Sequence, residues 1–350
     1  MKRSIMVVAA LAAGLTLSTG CSDEGGAKPK DSNEIDFPAA FVVVSGDNTI
    51  AVIDIENDRV DRTIPLGVGS WPHHVNLSPD GMTLTIGMPG MDLSEGHEGG
   101  MMGMEGRVVM MDARTLERRG SLEMEGMVHN AVHSPDGTEI WTAVMMDSTT
   151  GMNAVHVYSE DLGTHIAEIP VGSVPQEVTF SMDGRHAFVC NGESGTVTMI
   201  DVATKEVEVT IPVGAWPVGA WPGVDGLMYV DNEDSGSLSV IDPALGAVAA
   251  MIELGFSPGY VATPAAVGEI WVTDPVGAKV HFYDRATRSH LGLFDVGAGA
   301  HAIAFSDNGA AAYVTCIGAG TVSVVSVAGH AVQKTLTVGT KPNGIAVRVP

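Results

Sequence analysis

The sequence predicts an all-β fold, a closed seven-bladed β-propeller. Three features carry this: a segment that recurs seven times, a period near forty residues built of short apolar runs, and complementary chain ends. The clearest copies are TIPLGVGSWPHHVNLSPDG (63–81), EIPVGSVPQEVTFSMDG (168–184) and TIPVGAWPVGAWPGVDG (210–226). MIELGFSPGYVATPAAVG (251–268), LFDVGAGAHAIAFSDNG (293–309), TLTVGTKPNGIAVRVP (335–350) and MVHNAVHSPDG (127–137) complete the set. Six copies close on Gly81, Gly137, Gly184, Gly226, Gly268 and Gly309, at spacings of 56, 47, 42, 42 and 41 residues.

One unit defines the strands. Val178–Ser181 is strand A, His186–Cys190 is B, Thr196–Asp201 is C and Glu206–Val213 is D; each is β-branched or apolar and bounded by Gly, Asp or Asn. The first unit begins at strand B (Phe41–Ser45, Thr49–Ile55, Val60–Leu66), and the chain ends on a lone A strand, Gly344–Val349. Pairing these ends completes a blade and removes two exposed edges.

The N-terminus is of another kind. Lys2 and Arg3 precede an apolar run from Ile5 to Leu17, thirteen residues and too short to span a bilayer, so residues 1–20 are expected to be a removable export signal. Cys21 follows small residues and resembles the lipobox cysteine of bacterial lipoproteins. The match departs from that pattern in having Ser18 three positions before the cysteine and the leucine one further back, at Leu17. Lipidation of Cys21 would anchor the chain to a membrane, the outer one in a Gram-negative host; an ordinary signal peptide is the alternative. Residues 21–38 are expected to be a polar tether, and 39–350 the propeller.

The whole chain carries a formal net charge of −24; without residues 1–20, 16 basic against 42 acidic residues leave −26. Such a surface repels polyphosphates, which excludes nucleic acid as an expected partner. Cys190 and Cys316 fall three blades apart, too far for a disulfide, and are expected to be buried thiols.

The segment FVCNGESGTVTMIDVATKEVEVTIPVG (188–214) resembles the YVTN-type propeller repeat, and the resemblance covers about residues 40 to 350. It implies the fold and leaves the chemistry open, because its relatives include sugar-lactone hydrolases and haem and copper propellers.

In a propeller the D-to-A connections converge on one mouth of the axial channel. The first residue of each such position is His73, His129, Gln176, Val218, Gly259, His301 and Asn343; the second is His74, Asn130, Glu177, Gly219, Tyr260, Ala302 and Gly344. One sector is thus rich in imidazole, the usual ligand of Cu, Zn, Ni or Fe, and the opposite sector is expected to be Val, Gly and Pro. His73, His74, His129, His301 and Glu177 form the candidate metal set. On the same face, the insertion at 88–106 places Met91, Met101, Met102 and Met104 around His97, and 145–153 adds further methionines. Thioethers select Cu(I), so copper is the expected cofactor, and the same loop offers a surface to a protein or redox partner.

His133 reads as a packed core residue, and His156, His165, His186, His281 and His290 as scattered strand residues. Zinc-protease, dinucleotide, P-loop and haem-attachment motifs are absent. Three functions remain: a copper-binding exported protein, an interaction scaffold, and a metal-dependent lactonase-like hydrolase using Glu177 as acid or base.

Overall fold

The computed structural model describes residues 34–93, 105–145 and 153–349. The expected signal, Cys21, His97, Met101, Met102 and Met104 lie outside the described residues.

Seven antiparallel sheets form a ring, a seven-bladed β-propeller. Blade one joins strand A at Pro342–Arg348 to B, C and D at Ala39–Val44, Thr49–Asp54 and Arg59–Pro65. Strand A of blade two is His74–Leu77, and that of blade three is split into Met127–Val128 and Val132–His133. Blades four to seven begin at Pro175–Phe180, Pro217–Pro222, Tyr260–Ala262 and Ala300–Phe305. The closing register pairs Ala39 with Arg348, Phe41 with Ala346 and Val44 with Pro342. The complementary ends therefore meet as expected.

Burial explains why the inner runs are almost wholly apolar. Strand B of blade four, His186–Asn191, is buried throughout because neighbouring blades cover both its faces. Strand D, Val207–Pro212, is largely exposed and keeps Ile211 inside. The largest wedges are Trp141 and Trp271, both fully buried at the same position of strand B in blades three and six. Each indole N–H donates to a carboxylate two residues back, Glu139 at 2.9 Å and Glu269 at 2.8 Å, so the polar edge is satisfied.

Among the described residues, Ile35 already packs on the propeller, inside the segment expected to be tether. Its side chain is fully buried, its N–H donates to Arg114 O at 2.8 Å, and its carbonyl accepts from Arg348 Nη2 at 2.6 Å. The SPDG segments make the expected turns: Gly81 and Gly137 N–H each donate back to a serine carbonyl at 2.8 Å, with φ of 71° and 75°. The strand C aspartates are structural too, as Asp201 and Asp284 each accept a backbone N–H at 2.7 Å three residues on. Cys190 and Cys316 are free and buried.

Candidate functional site

The D-to-A connections turn sharply onto the axis. Trp71, Val174, Trp216 and Lys341, each just before the mouth proline of its blade, adopt positive φ of 45°, 55°, 54° and 57°. The left-handed backbone costs about 1–2 kcal/mol at a non-glycine residue, and it is spent here repeatedly on aiming the following residues inward.

Two glycines then let the histidine-bearing segments come together. Gly344 N–H donates to His73 O at 2.9 Å, and a Cβ there would lie 2.7 Å from His74 Cα. A Cβ on Gly87 would meet Asn130 Cα at 2.8 Å and His129 O at 2.9 Å. Only glycine admits strands this close.

The result is a compact buried imidazole cluster. His73, His74 and His129 each place a ring nitrogen within 4.8 Å of the others. His73 Nε2 and His129 Nε2 are 3.1 Å apart, and the His73 and His74 rings meet edge-on at 4.6 Å. Asn343 Nδ2 sits 2.9 Å from His73 Nδ1; with the amide turned over, Nδ1–H donates to the amide oxygen and Nε2 keeps its lone pair. Behind the cluster, Glu177 Oε1 lies 2.9 Å from His74 Nε2, poorly aligned for a hydrogen bond, and 3.6 Å from His129 Nδ1. His301 stands at the edge, 6.2 Å and 5.9 Å in ring-centroid distance from His73 and His74, and is half-buried.

A cavity of about 360 Å³ opens beside these groups. His73, His129, Val218, Gly259, His301 and Asn343 all line it. Gln176 does not: it is fully buried, its amide turned toward Val174 O and Met145 Sδ.

The sector expected to be apolar is corrected. Glu233 lines the same cavity, just after strand B of blade five, and Asp231 is fully buried two residues earlier. Asp231 Oδ1 accepts from Gly219 N–H at 3.1 Å and from Trp221 Nε1–H at 2.6 Å. Burial, then the charges of Glu233 and Glu177, push the Asp231 carboxyl well above its usual range. Burial, then Asp234 and Glu177, push Glu233 up to about 7. A signal existed in the repeat: Asp231 occupies the strand B position of Cys190, Thr273 and Thr315.

This shift fixes a pH dependence. The Glu233 pKa is raised in the fold, so its contribution to stability is whole below its ordinary value of 4.5 and is lost as pH rises through about 7. In chelator-treated protein, Glu233→Gln is expected to flatten the decline in stability between about pH 5 and 8, by up to about 3 kcal/mol. Thermal melts across that range check it; parallel wild-type and variant curves would refute it.

Met91 packs on an apolar cluster of Leu93, Met127, Met145 and Val174, with Trp216 against the same cluster. These side chains make an apolar apron beside the mouth, and Leu93 reaches the cavity. His133 is the packed residue expected, 2.9 Å from Thr85 Oγ1 and pushed down to about 4 by burial. The strand histidines are not scattered: His156 and His165 approach to 3.3 Å, and His281 and His290 to 3.2 Å.

No protein-family model matches this chain, and no curated protein matches it. Solved structures do. A periplasmic gluconolactonase from Pseudomonas aeruginosa superposes with a TM-score of 0.71 at 17% identity, covering 89% of this chain and 99% of that one. A functionally unknown protein from Desulfotomaculum acetoxidans gives 0.71 at 12%, covering 89% and 99%. A putative 6-phosphogluconolactonase from Bacteroides uniformis gives 0.66 at 13%, covering 90% and 100%. The class these similarities define is a seven-bladed β-propeller with lactonase-like structural neighbours, and at such identities the likeness is one of fold.

Proposed function

We propose that the chain is a YVTN-type propeller, exported and anchored through Cys21, that binds one transition-metal cation at the mouth of its channel. The observation that carries the metal reading is the buried cluster of His73, His74 and His129, with ligand atoms within 4.8 Å of one another beside an open cavity. Neutral imidazoles are ready ligands, and a nitrogen–nitrogen separation of 3.1 Å between His73 and His129 fits two donors sharing one ion. Asn343 on His73 is suitably placed to fix the ring orientation, as outer partners of metal-bound histidines do, and Glu177, 3.6 Å from His129 Nδ1, places a carboxylate beside the cluster. Glu177 is itself an oxygen donor within reach of the cluster.

The donor set bears on the metal. Met91 and Met145 are engaged in packing and in a contact with Gln176, so the described donors are nitrogen and oxygen. That set favours Cu²⁺ or Zn²⁺ over Cu⁺. Metal analysis of the full chain after loading with Cu²⁺ is expected to give one tight equivalent that the His73→Ala/His129→Ala double variant lacks. Anchoring has its own check: Cys21→Ser is expected to move the chain from the membrane fraction to the soluble one, and retention of that variant on the membrane would contradict the anchor.

Glu233 favours a second reading, metal-dependent hydrolysis of a small lactone-like substrate. A carboxyl held at about 7 within the imidazole-lined cavity is suited to general acid–base work at neutral pH. A shallow groove of about 760 Å³ shares Pro275 and Ile317 with the cavity and gives a substrate an approach across blades six and seven. Turnover of a lactone panel that needs metal and falls in Glu233→Gln would support it; no turnover by metal-loaded protein would leave the binding function alone.

A further inference from the structure

We infer a second cation site, away from the channel, on the outer hairpin of blade six. It is formed by His281 on strand C and His290 on strand D, and it is independent of the mouth cluster.

Repeat arithmetic points to it first. The shared bulge between strands C and D brings the same two columns side by side in every blade. In five blades those columns hold Ala51 with Val60, Val109 with Arg118, Thr198 with Val207, Ser239 with Val248 and Ser323 with Val332. In blades three and six both residues are histidine, His156 with His165 and His281 with His290. Histidine occurs here as a pair or not at all. A core histidine or a chance surface substitution has no reason to arrive in twos.

Geometry supplies the rest. His281 Nδ1 and His290 Nε2 are 3.2 Å apart, with ring centroids at 5.4 Å. Two nitrogens at about 2.0–2.1 Å from one ion span about 2.9–3.4 Å, so the pair already holds the separation of two donors on one ion. Asp274 Oδ2 lies 3.7 Å from the other nitrogen of His281, Nε2, on the side suited to orient the ring and increase its basicity. Phe256 stacks on the His281 ring at 4.3 Å, and Tyr283 meets the His290 ring at 5.0 Å. His290 is exposed, so an ion has open access. In blade three His156 is buried and the place of Asp274 is taken by Val144, so that pair is the weaker copy.

The chemistry selects a borderline divalent ion, Ni²⁺, Cu²⁺ or Zn²⁺, over Mg²⁺ or Ca²⁺. A plain hydrogen bond between two imidazoles is the competing account. Equilibrium dialysis of the full chain with Ni²⁺ alone separates them. His290→Ala, an exposed change that leaves the core intact, is expected to lose one bound equivalent that the His73→Ala/His129→Ala variant keeps. Asp274→Asn retains an oxygen for Gly277 N–H, which donates to Asp274 Oδ1 at 2.7 Å, and is expected to weaken this binding about tenfold with an unchanged melting temperature. Ni²⁺ is also expected to slow carbethoxylation of His290 by diethyl pyrocarbonate. Unchanged stoichiometry in His290→Ala, or labelling of His290 indifferent to Ni²⁺, would overturn the site.

Discussion

Deleting residues 342–350 is expected to abolish the cooperative unfolding transition and to send the chain into aggregates. The deletion removes the A strand of blade one, whose partner strand Ala39–Val44 is buried along its whole length. It also takes away Ile345, Ala346 and Val347, which pack in the two core clusters flanking that blade. At about 25 cal/mol per Å² of apolar surface, uncovering such a strand costs several kcal/mol, against a total stability of about 5–15 kcal/mol. An open edge appears as well on Ala39–Val44, a template for pairing with another chain. Calorimetry and light scattering check this, and a truncated monomer melting at the wild-type temperature would contradict ring closure as the source of stability.

Replacing His73 and His129 together by alanine is expected to remove metal binding at the channel mouth. These two side chains hold the closest nitrogen pair of the cluster, 3.1 Å apart, and both line the cavity. The loss should exceed the roughly 10–100-fold that removal of an outer partner costs. Asn343→Ala supplies that comparison, because it leaves all three imidazoles and removes the amide 2.9 Å from His73 Nδ1. Competition titration with a chelator of known affinity, run in a His290→Ala background to silence the hairpin site of blade six, checks the order: intact mouth tightest, Asn343→Ala weaker, the His73→Ala/His129→Ala variant without the tight equivalent. Equal affinities across the three would remove the mouth cluster from consideration.

The fold was readable because a propeller repeats its information. The closing glycines, the missing first A strand and the surplus last one determine blade number and closure. The same alignment placed His73, His129, Val218, Gly259, His301 and Asn343 at one mouth, and all six line one cavity. Gln176 failed because its side chain found partners in Val174 and Met145 instead of the channel. Asp231 and Glu233 lie at the end of strand B, outside the D-to-A columns, so the column alignment does not point to them, yet Asp231 meets the mouth segment at Gly219 N–H and Glu233 lines the cavity. The outer histidine pairs were missed for a different reason. His281 and His290 are nine residues apart on two strands, and only the register of the bulged hairpin makes them neighbours.

Met91 shows why composition alone does not fix a role: a methionine beside histidines reads as a soft ligand, and the same flexible side chain fills irregular apolar gaps, as it does here against Leu93, Met127 and Met145.

A crystal structure of the full chain soaked with one equivalent of Zn²⁺, phased on the zinc anomalous signal, tests the central claim most directly. The account predicts one dominant peak about 2.0–2.1 Å from a ring nitrogen of both His73 and His129. A dominant peak elsewhere on the molecule, with the mouth imidazoles bound only to each other and to Glu177, would contradict it.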